Sequence, residues 1–165
     1  MTKSYTFNGE LDRSFDAWEQ WTMDAFSICN VLGYEANYYD VSASDKNSGK
    51  ARPIAGMQKK MANVKKKNDI ITGISIMVLP ENYSSAAFDY VICLSRNANY
   101  ITCIINEEYK MNDDEVKIIS ILKRNIIASS GEIYTLDIYD CPEFYAAKAK
   151  SKESFKSLKV IKSLE

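Results

Sequence analysis

The apolar positions of this chain follow a helical period first, a strand period in the middle, and both in alternation afterwards. In DRSFDAWEQWTMDAFSICNVLG, the positions Phe15, Trp18, Thr22, Ala25, Phe26, Cys29 and Leu32 fall at helical spacing. Trp21 and Ile28 form a second apolar face, so this helix needs more than one element packed against it. Asp12 or Ser14 can cap it, Asp16 suits the positive helix start, and Gly33 stops it. A short strand over 5–7 is drawn ahead of the helix.

After Gly33 the pattern alternates. Tyr34, Ala36, Tyr38 and Asp40 interleave with Glu35, Asn37 and Tyr39, which predicts a strand. Positions 42–49 read as an exposed polar loop. Pro53 then suits the first turn of a helix whose Ile54, Met57, Met61 and Val64 mark one face. Gly56 weakens that helix by about 1 kcal/mol relative to Ala. Lys65, Lys66 and Lys67 sit at its C-terminal end, where the helix dipole favours cations.

Three β-rich runs follow, over 70–80, 87–95 and 99–109, the last two joined by a tight turn at Arg96-Asn97-Ala98. Asn112 and Glu115 then have the spacing of a capping box, and Val116, Ile119, Leu122 and Ile126 line one helical face. Gly131 lies past that helix, and 132–141 alternates as a strand ended by Pro142. From 148 to 165 the chain is a basic tail that reads as a short amphipathic helix or a frayed end. The expected fold is α+β: one globular domain over 1–165, with a mixed, largely antiparallel sheet of about five strands and two or three helices.

Composition narrows the chemistry. A chain of 165 residues with 46% hydrophobic and 26% charged positions is ordinary for one globular domain. No apolar run reaches the roughly 20 residues of a membrane span. MTKSYTFNGELDRSF lacks the apolar core of a secretory signal, so the cytoplasm is the expected compartment. Cys29, Cys93, Cys103 and Cys141 form no C-x-x-C pair and read as buried, reduced thiols. There is no histidine, which removes Ser-His-Asp, Cys-His and His-based metal chemistry. No cofactor or metal site is expected, and the chain reads as a binding protein and not an enzyme.

Charge is segregated into blocks. Residues 1–45 carry two basic and eight acidic side chains, and 46–67 carry eight basic and none acidic. Residues 68–147 carry five basic and twelve acidic, and 148–165 six basic and two acidic. The basic block reads first as the solvated face of an amphipathic helix. Its alternative is a nucleic-acid contact through Lys59, Lys60, Lys65, Lys66 and Lys67, which would be nonspecific and salt-dependent. An acidic partner, or acidic surface of the same chain, is a third reading.

The acidic stretch NEEYKMNDDE places Glu107, Glu108, Asp113, Asp114 and Glu115 around Tyr109 and Met111. Helix capping and a soluble turn explain part of it. The spacing is not that of an EF-hand, whose central Gly is missing. The functional reading is a docking patch for a basic protein, with Tyr109 as its anchor.

A small, histidine-free α+β chain with an acidic body and no catalytic motif resembles bacterial toxin-immunity proteins, of the contact-dependent growth inhibition and polymorphic toxin type. The resemblance is one of general build. It implies a protein that binds a cognate toxin domain, often a basic nuclease, and occludes its active site. Glu107, Glu108, Tyr109, Asp113, Asp114 and Glu115 are then the expected contacts. The basic block departs from a uniformly acidic inhibitor.

Overall fold

Hairpins and long crossovers gather the strands into one antiparallel sheet. The computed structural model describes residues 1–44, 50–112 and 114–164. In chain order the elements are β1 (Thr2–Glu10), α1 (Phe15–Leu32), β2 (Tyr38–Ser42), β3 (Arg52–Pro53), α2 (Met57–Lys67) and β4 (Gly73–Val78). They continue with β5 (Ile92–Arg96), β6 (Tyr100–Asn106), α3 (Glu115–Lys123), β7 (Ile127–Leu136), α4 (Pro142–Ala146) and β8 (Lys159–Ser163). The eight strands lie in the order β3-β2-β4-β5-β6-β1-β7-β8. The α+β expectation holds, but about five strands and two or three helices become eight and four among the described residues.

The additional strands have physical reasons. β1 contains the short strand expected over 5–7 and extends it to Thr2–Glu10; Thr2, Ser4, Thr6 and Asn8 on alternate positions hide its full length from a search for apolar runs, yet it lies between β6 and β7. β3 is a two-residue edge paired to Tyr38 and Tyr39. The tail forms β8 on β7 in place of a helix. Its apolar Val160 and Ile161 remain partly exposed on this edge.

α3 is shorter than its periodicity predicts. Asp114, not Asn112, caps it by accepting from Lys117 N at 3.1 Å. Its buried positions are Ile118, Ile121 and Leu122, whereas Val116 is 80% exposed. The segment predicted to end this helix starts β7 instead, because Ile127 and Ala128 pair with Glu10 and Gly9 of β1. β7 accordingly ends at Leu136, and Ile138–Asp140 is a 3-10 turn.

The two faces of the sheet are built differently. α1, α2 and α3 cover the first, against Tyr5, Phe7, Ile74, Ile76, Leu94 and Ile101. α1 starts on Ser14, whose side chain accepts from Ala17 N, and stops at Gly33 with φ 90°. It buries Trp18, Trp21, Ala25, Ile28, Cys29 and Leu32, and each large apolar side chain contributes about 1.5–3 kcal/mol. Trp21 Nε1 donates to Ile74 O at 3.1 Å, which satisfies the one polar atom it brings inside.

The second face carries a polar row across the strands. Asp40 pairs with Ser75, Ser75 with Ser95, Ser95 with Thr102, Thr102 with Thr6, and Thr6 with Glu132. Adjacent hydroxyls bond across strands: Ser75 to Ser95 at 2.8 Å and Thr6 to Thr102 at 2.7 Å. The segment 137–158, which includes α4, crosses this face as a strap. Tyr134 Oη donates to Pro142 O at 3.1 Å, and Asn8 Nδ2 to Ala146 O at 2.9 Å. Tyr145 stands edge-on between Tyr134 and Phe155, at 4.5 and 5.5 Å between ring centroids. Among the described residues no helix is long and apolar enough to cross a membrane.

Candidate functional site

The acidic loop after β6 is fixed by its backbone. Asn106 Oδ1 accepts from Glu108 N at 3.1 Å, and Asn106 O accepts from Tyr109 N at 3.2 Å. Farther along, Asn112 N donates to Leu32 O at 3.1 Å, and Tyr34 Oη donates to Lys110 O at 3.0 Å. The loop is thereby tied to the end of α1. Gly33 leaves the room this needs, since a Cβ there would stand 3.0 Å from Asn112 Nδ2.

The predicted carboxylates divide into distinct roles. Glu107 and Glu108 are exposed and enter no ion pair among the described residues. Asp114 is spent on capping α3. Glu115 accepts from Lys3 Nζ at 3.2 Å and from Tyr5 Oη at 3.4 Å, so it joins α3 to β1. Asp113 lies outside the described residues. Among the described residues of the predicted patch, Glu107, Glu108 and Tyr109 are those whose side chains enter none of these bonds.

Those residues meet others that sequence spacing did not bring together. A hollow of about 290 Å³ is lined by Tyr83, Phe88, Asp89, Glu108, Tyr109 and Tyr139, among others. Phe88 and Tyr139 pair at 5.7 Å between centroids, and Tyr139 is 74% exposed. Tyr83 is steadied edge-on by Tyr38 at 5.2 Å. Asp89 Oδ2 accepts from Ser84 N and Ser85 N, each at 2.7 Å, and from Ser84 Oγ at 3.0 Å. The backbone bonds from Ser85 and Ser84, with the hydroxyl of Ser84, hold this carboxyl below its ordinary range. Aromatic faces beside ionised carboxylates attract a guanidinium or ammonium group. On the other side of Tyr109, a smaller hollow of about 250 Å³ is lined by Glu107, Met111 and Ile118, among others. Tyr109 is thus a ridge between two depressions.

No family model, curated protein or solved structure matches this chain. Its functional reading rests on its own surface.

The basic segment is partitioned as well. Lys46 lies outside the described residues. Lys59, Lys60 and Lys67 line a hollow of about 320 Å³ with Arg52, Gly56, Asn63, Val64 and Asp69. Lys65 instead covers the ring of Phe15, 5.1 Å from its centroid, and Lys66 is exposed. Lys59, Lys66 and Lys67 enter no ion pair among the described residues, and Asp69 of the acidic block lines the same hollow as Lys59 and Lys67.

A larger hollow, about 700 Å³, lies between α1 and α2 and is lined by Phe15, Met23, Phe26, Ile54, Met57 and Met61, among others. Glu19 and Lys65 place opposite charges at its wall, which gives it no preference for ligand charge.

The cysteines do not form a reactive set. Cys29, Cys93 and Cys103 are buried, and burial pushes their thiols up, Cys29 to about 12. Cys141 is partly exposed, with φ 57° at the start of α4. Among the described residues no group of three His, Cys, Asp or Glu side chains could hold a metal ion.

Sequence spacing missed Phe88, Asp89 and Tyr139 as site residues. The sequence pattern drew Phe88 and Asp89 into the β-rich run 87–95 and Tyr139 into the strand 132–141, whereas β5 starts only at Ile92 and β7 ends at Leu136, which leaves all three in loops or turns.

Proposed function

We propose that this chain is a non-catalytic binding protein that neutralises a cognate bacterial toxin domain by covering it with an acidic, aromatic surface. The observation that carries this reading is the hollow bounded by Asp89, Glu108, Tyr109, Phe88 and Tyr139, with Glu107 beside it. A basic partner inserts an Arg or Lys side chain there, where it meets carboxylates and ring faces together. The exposed carboxylates of Glu107 and Glu108 steer that partner, while the aromatic side chains set its residence time. The general build of a toxin-immunity protein fits the same role.

Growth is the direct test. Co-expression of this chain should restore growth to cells that make its cognate toxin domain, to be sought in the open reading frames beside its gene. Glu107→Lys with Glu108→Lys should slow association and flatten its dependence on salt. Tyr139→Ala should speed dissociation with little change in salt dependence. Failure to restore growth removes the reading; restored growth and unchanged kinetics in all three substitutions removes the site.

A further inference from the structure

α1 carries a second apolar stripe that the sheet does not cover. Phe15, Met23 and Phe26 recur with Glu19 at helical spacing along one wall of the hollow between α1 and α2. Met23 is 64% exposed. The opposite wall belongs to α2 and the turn before it, where Ala55, Gln58, Ala62 and Lys65 are exposed at spacings of three and four. The walls are unlike: α1 brings large apolar side chains, and α2 brings small ones.

Two contacts align the walls. Lys65 Nζ lies 5.1 Å from the ring centroid of Phe15, which joins the end of α2 to the start of α1. Phe26 and Ile54 line the hollow together, and both continue into a second hollow of about 600 Å³ beside Tyr34. α1 and α2 therefore run antiparallel along one continuous groove, over equal lengths of chain between these contacts. Glu19 and Lys65 lie toward one end of it, and the end at Phe26 and Ile54 is apolar.

We infer that this groove is the contact surface of a homodimer, in which a two-fold axis running along the groove lays α1 of each copy on α2 of the other. Charge selects both the occupant and the axis. Glu19 and Lys65 are exposed and enter no ion pair among the described residues. An axis along the groove exchanges the two walls and keeps the two ends, so Glu19 of each copy meets Lys65 of the other, twice over. An axis across the groove would lay α1 on α1 and set each charge against the apolar end of the other copy. Size selects the same arrangement, since Met23 and Phe26 of one copy oppose Ala55 and Ala62 of the other as knobs against holes. Lys65 is already seated on Phe15, so less side-chain freedom is lost when a carboxylate reaches it. Met and Phe suit the centre of an interface, and Lys and Glu its rim. The assembly is a bundle of four helices, two from each copy, which removes from water the stripe that a single chain leaves exposed.

The test is sedimentation equilibrium on the full chain. Wild type should dimerise with Kd below about 100 µM. Met23→Gln, an exposed substitution that suits a helix, should weaken the dimer about tenfold. Glu19→Lys alone and Lys65→Glu alone each set like charges together at both contacts, and each should be monomeric at about 100 µM. An equal mixture of those two variants should form a heterodimer, because each copy then supplies the charge the other lacks. Damage to the fold would not be repaired by mixing. A chain that stays monomeric at about 1 mM overturns the proposal. A dimer unmoved by all three substitutions overturns the surface, and failure of the mixture to form a heterodimer overturns the axis. The groove shares no lining residue with the two hollows flanking Tyr109, so Glu107→Lys with Glu108→Lys should leave the dimer unchanged.

Discussion

Two carboxylates, the buried Asp24 on one face of the sheet and the half-buried Glu143 on the other, are held by opposite means. On the helical face Asp24 of α1 is 2% exposed and surrounded by donors. Arg124 grips both its oxygens, Asn125 Nδ2 donates at 2.7 Å, and Gln20 Nε2 donates at 3.0 Å. Burial pushes the Asp24 carboxyl up, but the bonds from Arg124, Asn125 and Gln20 hold it below its ordinary range. On the strap face, Glu143 of α4 turns toward Ser95, which donates to it. Here burial dominates, the single Ser95 bond opposes it, and Asp40 adds repulsion, so the carboxyl is pushed up. The helical face is apolar packing fastened by a satisfied charge. The strap face is a hydroxyl row under an acid that ionises with difficulty. Each face leaves two buried polar atoms without a partner among the described residues: Trp18 Nε1 and Arg96 Nη1 beneath the helices, Ser4 Oγ and Tyr90 Oη beneath the strap. The strap face should be the first to loosen.

The strongest way to break the comparison is Trp21→Ala. It removes a fully buried side chain under α1 and should cost about 3–5 kcal/mol, read by urea denaturation. A comparable loss from Phe155→Ala on the strap would show that the faces carry equal weight.

Next comes Asp24→Ala, which strands Asn125 and Arg124 and should cost about 2–3 kcal/mol. Its pH dependence has a definite sign. A carboxyl lowered in the folded state contributes fully above its unfolded value near about pH 4 and is lost as pH falls through the folded value. The gap between wild type and Asp24→Ala should therefore close in acid. A gap that stays constant below pH 4 would contradict the role given to Arg124 and Asn125.

A smaller effect concerns the hydroxyl row. Thr6→Val alone strands Thr102 and takes one bond from Tyr134 Oη, which keeps Pro142 O, and should cost about 1–2 kcal/mol. Thr6→Val with Thr102→Val should recover part of that cost, since both partners become apolar together. A double-mutant cycle of near-zero coupling would show that the row does not act as a unit.

The smallest effect is a gain. A carboxyl raised in the folded state loses stability as pH climbs from about 4.3, its unfolded value, through the folded value. Glu143→Gln keeps an acceptor for Ser95 and removes the ionisation, so it should stabilise by about 1 kcal/mol at pH 7 and not at pH 3. A loss at pH 7 would mean that the ionised form holds the strap.

Local patterns made α1 and α2 readable. Trp18, Ala25, Cys29 and Leu32, like Met57, Met61 and Val64, repeat at helical spacing because each helix buries one stripe. The hairpin of β5 and β6 was readable for the same local reason, with Asn97 N donating to Tyr100 O at 3.0 Å. β1 was legible only over 5–7 and β8 was hidden, because their partners are remote and their alternation is polar. The acidic loop was legible as composition, whereas its partition was not: whether Glu115 points to Lys3 or to solvent depends on where β1 lies. The hollow around Asp89 and Tyr139 joins two loops through the fold, and no spacing encodes that.

The central place of β1 has a consequence for how the chain is made. Thr2–Glu10 emerges first, yet both its neighbours, β6 and β7, are synthesised far later. Only after Leu136 has left the ribosome can the sheet close around it. This topology has high contact order and predicts slow folding, with the early segments waiting for their last partner. Thr2, Ser4, Thr6 and Asn8 keep one side of the waiting strand polar, which lowers its tendency to pair with other nascent chains. The same hydroxyls that later form the row under the strap thus protect the chain before the sheet exists.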